Sequence, residues 1–206
     1  MADVRELKAL QLDALREVAN IGAGHAATAL SQLTNRAIMI SVPEINVIRT
    51  EDAPELLGSA EETVAAVLMH MLGDLTGRTL LLLPEPDARL LCDLLLRKEM
   101  GDTGGFDELE QSSLKEAGNI LGGAYMNALA DFMGMMLLPS VPSLVIDMAG
   151  AVLTSAVLNF GDERDHMLCV ETEFFFKEED QSLIGHFLML PDVPALDAIF
   201  TAVRVQ

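Results

Sequence analysis

One 29-residue segment occurs twice in this chain of 206 residues. LREVANIGAGHAATALSQLTNRAIMISVP runs from Leu15 to Pro43, and LKEAGNILGGAYMNALADFMGMMLLPSVP runs from Leu114 to Pro142. At a constant offset of 99, with no gap, ten positions are identical. Among them are Leu15/Leu114, Glu17/Glu116, Asn20/Asn119, Ile21/Ile120, Gly24/Gly123 and the closing tripeptide Ser41-Val42-Pro43 against Ser140-Val141-Pro142. A repeat this long restricts the fold to an architecture that accommodates two copies of one unit.

Each half reads as the same series of elements. Leu, Ala and Ile recur at spacings of three and four, which predicts a long helix over about Glu6 to Leu33 and another over about Asp107 to Met133. Strand-like runs follow: RAIMISVPEINVI, ETVAAVLMHML and RTLLLLP in the first half, AVLTSAVLNF, HMLCVETEFFF and SLIGHFLML in the second. A terminal helix is expected after each of the turns Pro84-Glu85-Pro86 and Pro191-Asp192-Val193-Pro194, because Pro suits a first helical turn. Met100–Gly105 and Gly161–Asp165 are rich in Gly and Asp and read as turns or linkers. The expected fold class is α/β (α+β): duplicated α-β-β-α units with pseudo-two-fold symmetry, and a mainly antiparallel sheet packed against helices. Residues 1–206 should form a single domain of two repeats, about 1–100 and 101–206, since no long flexible linker divides them.

Composition excludes several classes of function. Half of the residues are hydrophobic but only 4% are aromatic and none is Trp, so the core is aliphatic, with twelve Met among its fillers. The formal charge of −19 repels nucleic-acid phosphates, and no Lys/Arg cluster offsets it. Cys92 and Cys169 lie far apart in apolar surroundings and read as buried small hydrophobes of a reducing compartment. The first residues carry both charge signs, unlike a signal peptide, and the uncharged stretch Phe132–Ile146 is short for a membrane span and contains two Pro. A cytoplasmic protein that binds neither nucleic acid nor membrane is expected. His25, His70, His166 and His186 lack metal-ligand spacing, and no P-loop or G-x-S-x-G motif is present.

The repeat retains polar residues that a core helix would not need. Asp13, Glu17 and Asn20 fall at i, i+4 and i+7, on one helix face, and Ser112, Glu116 and Asn119 repeat the arrangement. Gly22, Gly24, Gly122 and Gly123 follow in the next turn, although Gly within a helix costs about 1 kcal/mol relative to Ala. Two readings compete. Either the Gly residues let two helices approach closely while Glu and Asn decorate a solvated stripe, or the polar pair is retained for chemistry. Agreement between the copies favours chemistry. Asn has no useful pKa, but its carboxamide can hold a water by donating and accepting at once. Such positioning is what phosphoryl hydrolysis requires of a protein around a magnesium-bound phosphoryl group. With no nucleophile and no metal ligands beside it, this pair would complete an active site carried by another protein.

These residues fit the pattern Asp/Ser-x3-Glu-x2-Asn-x22-Pro, as Asp13…Glu17…Asn20…Pro43 and again as Ser112…Glu116…Asn119…Pro142. In this the chain resembles the CheC/CheX/FliY phosphatase family, and the phrases ANIGAG, ISVPEI and LVIDM extend the resemblance over essentially its whole length. The resemblance implies a phosphatase acting on the phosphoaspartate of the chemotaxis response regulator CheY. Asn20 and Asn119 would orient the attacking water, and Glu17 and Glu116 would anchor the receiver domain through a cation, commonly its active-site Lys. Asp13 and Ser112 would be accessory on the same face, and Pro43 and Pro142 would set the chain path after each helix. The chain would need no cofactor of its own, since the receiver brings magnesium. It also implies binding of CheD, a receptor-modifying deamidase, for which Asp147 within SLVIDMAGAVL is a candidate contact. The alternative is a core segment with one exposed acid.

Relatives of the same fold supply the rival readings. A non-catalytic scaffold or CheD-binding module related to the flagellar motor switch proteins would be expected to lose the Glu/Asn pairs, which are intact here. Those proteins and FliY also extend beyond this fold, whereas this chain reaches Gln206 soon after its last expected helix. CheX usually carries one motif per chain and works as a dimer, so two motifs in one chain suggest a monomer.

Overall fold

A computed structural model of the chain describes residues 9–49, 51–53, 59–158, 166–177 and 180–192, with 194–195, 198–199 and 201–202. In chain order the elements are α1 (Ala9–Thr34), β1 (Ile38–Ser41), β2 (Ile45–Arg49), β3 (Thr63–Gly73), β4 (Gly77–Pro84), α2 (Glu85–Leu96), α3 (Glu108–Met133), β5 (Leu137–Pro139), β6 (Ser143–Met148), α4 (Ala149–Leu158), β7 (His166–Phe176) and β8 (Gln181–Pro191). The two long helices fall where the periodicity placed them. Local chemistry sets their ends. The Asp107 carboxylate accepts from the N–H groups of Leu109 and Glu110, and the Glu110 carboxylate accepts from the N–H of Asp107, which closes a capping box at the start of α3. Gly134, at φ 64°, ends the helix in the left-handed conformation that Gly adopts most readily. Helix α2 opens behind Pro84 with a further Pro in its first turn.

The strands form one antiparallel sheet in the order β1-β7-β8-β4-β3-β5, with β2 also on β7 and β6 also on β3. The two halves are interleaved. Strands β1 and β2 of the first half pair with β7 of the second, while β5 and β6 of the second pair with β3 of the first. The long hairpins β3–β4 and β7–β8 meet at the centre through β4 and β8, from Gly77 opposite Pro191 to Leu82 opposite His186.

Helices cover both faces, which is why the central strands read as nearly continuous apolar runs and not as alternating ones. On one face α1, α2 and α3 bury Leu15, Val18, Ala23, Leu91, Leu114 and Leu121 against Val67, Met69, Leu81, Leu83, Phe174 and Phe187. On the other, Ala149, Val152, Leu153 and Ala156 of α4 meet Val64, Ala66, Leu80, Leu82, Leu188 and Leu190. The segment Met100–Gly105 between the halves is held down, with the N–H groups of Gly101 and Thr103 and the Thr103 hydroxyl donating to the buried Asp93 carboxylate.

Two expectations need adjustment. AVLTSAVLNF, expected as a strand, belongs to helix α4 as far as Leu158. That run carries no charge, so polarity cannot separate a period of two from one of 3.6. Spacing decides it, because Ala149, Val152, Leu153 and Ala156 form one helical face on the sheet. The first N–H groups of α4 are satisfied by Glu62 O and Ala60 O. Each α-β-β-α unit also carries a short strand pair ahead of its long antiparallel pair, with β5 and β6 standing in the second half where β1 and β2 stand in the first. The turn expected at Gly161–Asp165 and the part of the first helix before Ala9 lie outside the described residues. Beyond Pro191, residues 194–195, 198–199 and 201–202 are helical, as the Pro turn suggested.

Candidate functional site

Helices α1 and α3 lie side by side on one face of the sheet. Gly22 permits the contact, since a Cβ there would sit 2.7 Å from Tyr125 Cδ1 and 3.0 Å from Ala124 O. Tyr125 is buried, with its ring edge-on to Phe187 and its hydroxyl 2.9 Å from that of Thr172. With the apolar stripe of each helix turned to the core, the polar stripe faces out. Asp13 and Glu17 are exposed and Asn20 is half-buried; in the second copy Ser112 and Glu116 are exposed and Asn119 is half-buried. Each Glu therefore accompanies its Asn on one outward face, and the two pairs stand on separate helices. Gly24 and Gly123 follow each Asn by one turn, and a Cβ on either would meet nothing within 4 Å.

The two Asn side chains have different partners. Asn20 Oδ1 accepts from the backbone N–H of Val42 at 3.1 Å. The carbonyl of the same residue accepts from Arg16 Nε at 3.1 Å. Val42 precedes Pro43, which disfavours helical backbone at Val42, and two side chains one helical turn apart therefore hold the peptide groups on both sides of it. In the second copy the loop takes another path. Ser140 bonds to β3 instead, its N–H donating to His70 O and its hydroxyl accepting from His70 N–H. Val141 is 88% exposed where Val42 is 1% exposed, and no hydrogen bond reaches the Asn119 carboxamide among the described residues. Sequence reasoning passed over Arg16. Its trace was a cation kept just before the Glu of each motif, Arg16 and Lys115.

Asp147 stands apart from these helices. It is exposed near the end of edge strand β6, where its Oδ1 accepts from Met148 N–H at 2.8 Å. Leu144 and Ile146 pack into the core beneath α1 and α3, so strand alternation turns Asp147 to the opposite face of the sheet. The cysteines are free and buried. Burial, chiefly, pushes the Cys92 thiol up to about 11 and the Cys169 thiol up to about 12, so neither supplies a thiolate nucleophile near neutral pH. Among the described residues no three His, Cys, Asp or Glu side chains gather as metal ligands.

The outward stripe can therefore place carboxamide and carboxylate groups against a surface brought to it. Residues 10–47 and 109–146, the windows that hold the two motifs, match the CheC-like family. The chain is 37% identical over 198 residues to the CheY-P phosphatase CheC of Bacillus subtilis, covering 95% of each protein. It is 29% identical over 132 residues to the flagellar motor switch phosphatase FliY of the same organism, covering 62% of this chain and 33% of that protein. In fold it resembles the crystal structure of Thermotoga maritima FliY, with a TM-score of 0.79 and 20% identity over 97% of this chain and 98% of that one. Identity sustained along nearly the whole chain, together with both motif windows, shows that the chain belongs to the CheC-like family.

Proposed function

We propose that this chain is a phosphatase that hydrolyses the aspartyl phosphate of the response regulator CheY. The observation that carries the reading is 37% identity over 95% of the chain to a CheY-P phosphatase. The outward Glu/Asn pairs on α1 and α3 give it a chemistry. Asn20 and Asn119 orient the attacking water, while Glu17 and Glu116 anchor the receiver through a cation on its surface. Asp13 and Ser112 flank the contact on the same faces. As the family resemblance implies, the magnesium of the reaction arrives with the receiver. Magnesium held there would supply charge neutralisation at the phosphoryl group, and the side chains of this protein contribute position.

Two motifs on one chain favour a monomer, and buried free thiols suit the reducing cytoplasm. CheD is the further partner, with Asp147 as its contact. That acid is exposed beside the half-exposed Val145 and Met148, an edge that mixes apolar surface with one charge.

The test is phosphate release from phosphorylated CheY by wild type, Asn20→Ala, Asn119→Ala and the double variant. Each single variant should keep one working site, and the double variant should fall to the spontaneous rate of CheY-P. Wild-type turnover by the double variant would overturn the assignment. Melting curves belong beside the rates. Asn20→Ala leaves the N–H of buried Val42 without its acceptor and should cost about 1–3 kcal/mol, whereas Asn119→Ala should be close to neutral. Titrating CheD into the assay with wild type and Asp147→Ala tests the second partner, and equal binding to both would remove Asp147 from the contact.

A further inference from the structure

The two motifs are identical at Glu, Asn and the Ser-Val-Pro tripeptide, yet their surroundings are not. We propose that Arg16 is a positioning residue that presets Asn20 through Val42, so that the first site is preorganised and the second is ordered only when its partner docks. The proposal rests on the phosphatase reading for its kinetic consequence and on geometry for everything else.

The geometry is a clamp around one peptide segment. Arg16 and Asn20 are four residues apart on α1 and therefore neighbours on its surface. Arg16 Nε donates to Val42 O, and Val42 N–H donates to Asn20 Oδ1, each at 3.1 Å. Pro43 keeps Val42 out of helical backbone, and burial of Val42 to 1% exposure fixes the segment against the helix. One lone-pair direction of Oδ1 is thus committed, and this fixes which way the carboxamide faces. The Nδ2 donors and the second lone pair of Oδ1 are left for a water.

The second copy keeps Asn119 and Pro142 but lacks the rest of this device. Lys115 replaces Arg16, a flexible point charge in place of a directional planar donor. Val141 is turned into solvent, and Ser140 is committed to β3 through His70. The Asn119 carboxamide must be ordered during docking, and that ordering opposes its reaction. Preorganisation lowers the cost of reaching a productive geometry, so turnover per site should be greater at Asn20.

Two substitutions separate the clamp from the charge of Arg16. Arg16→Met removes donor and charge together. Arg16→Gln removes the charge but puts an amide nitrogen at the same number of bonds from Cα as Nε. Side-chain amide NMR on the free protein reads the clamp without any phosphatase assay. Asn20 should be ordered and Asn119 mobile; Arg16→Met should release Asn20, and Arg16→Gln should keep it ordered. Equal mobility of the two amides in wild type, or no response to Arg16→Met, overturns the clamp.

Kinetics on phosphorylated CheY read the consequence. In the Asn119→Ala background, where only the first site remains, Arg16→Met should lower kcat about tenfold with little change in KM, and Arg16→Gln should restore most of it. In the Asn20→Ala background Arg16→Met should leave the rate as it was. Equal losses in both backgrounds, or equal losses with Met and Gln, overturn the proposal by making Arg16 a charge contact. Should the Asn20→Ala/Asn119→Ala double variant keep wild-type turnover, the phosphatase reading of these sites fails, and the NMR result still decides the clamp.

Discussion

The glycines of α1 and α3 show how much one absent methyl group can mean, and that neighbouring positions use it differently. Gly22 lets the two helices touch, and a Cβ there would press on Tyr125 and on the carbonyl oxygen of Ala124. That oxygen belongs to the backbone of α3 and cannot swing aside. Gly122 faces the end of the Met69 side chain, which can move. Gly24 and Gly123, the pair that agrees between the copies, meet nothing. Close helix packing therefore explains Gly22 and leaves the matched pair unexplained. Gly24→Ala and Gly123→Ala should each stabilise the protein by up to about 1 kcal/mol, the helix-propensity difference. Gly22→Ala should destabilise it by about 1–3 kcal/mol through overpacking. Urea unfolding of the three variants checks the contrast, and a Gly22→Ala protein as stable as Gly24→Ala would show that the helices are free to separate.

At the scale of elements, the start of α3 determines where the second Glu/Asn pair sits, and it is tied to the end of the first half. Glu110 closes the capping box with Asp107 and also meets Lys98 Nζ at 2.6 Å. The hydrogen bond from Lys98, with that from the Asp107 backbone, holds the Glu110 carboxyl below its ordinary value of 4.5. A carboxylate with a lowered folded pKa contributes stability that is fully present above the unfolded value and is lost as pH falls through the folded one. Asp107→Ala should cost about 1 kcal/mol at neutral pH, as for an N-cap. Glu110→Gln keeps an acceptor for the Asp107 N–H and removes only the ion pair. Its stability should lie below wild type at neutral pH and converge with it once the pH falls well below 4.5, which denaturant titrations at a series of pH values will show. Helix α3 was legible in the sequence from its apolar spacing, and Asp107, Glu110 and Gly134 are further local signals at its two ends. Helix α4 was not, because its evidence is a partner surface on β3, β4 and β8 that no window of ten residues contains.

For the whole molecule, the repeat disclosed two units but not how they are joined. The outward Glu17/Asn20 and Glu116/Asn119 pairs were legible because helical spacing alone sets a face. Arg16 was missed because its partner, Val42, lies 26 residues away across a turn. Sheet order was likewise hidden, since strand pairing is a long-range choice, and here it crosses the halves. Strand β3 takes β4 from its own half and β5 and β6 from the other, and β7 takes β8 from its own half and β1 and β2 from the other. A polypeptide of residues 1–100 alone would leave β3 without β5 and β6 and β4 without β8, exposing strand edges beside the apolar side chains of Leu80, Leu81, Leu82 and Leu83. A polypeptide of residues 101–206 would be open at the corresponding places on β7 and β8. The expected outcome is that neither half forms a folded monomer by itself, while the two halves co-expressed assemble one to one and regain a single cooperative transition. Light scattering after size-exclusion chromatography and thermal unfolding by circular dichroism measure this. A stable, monomeric, cooperatively unfolding residue 1–100 fragment would mean that the cross-half strand pairs contribute little and that the repeats are independent domains.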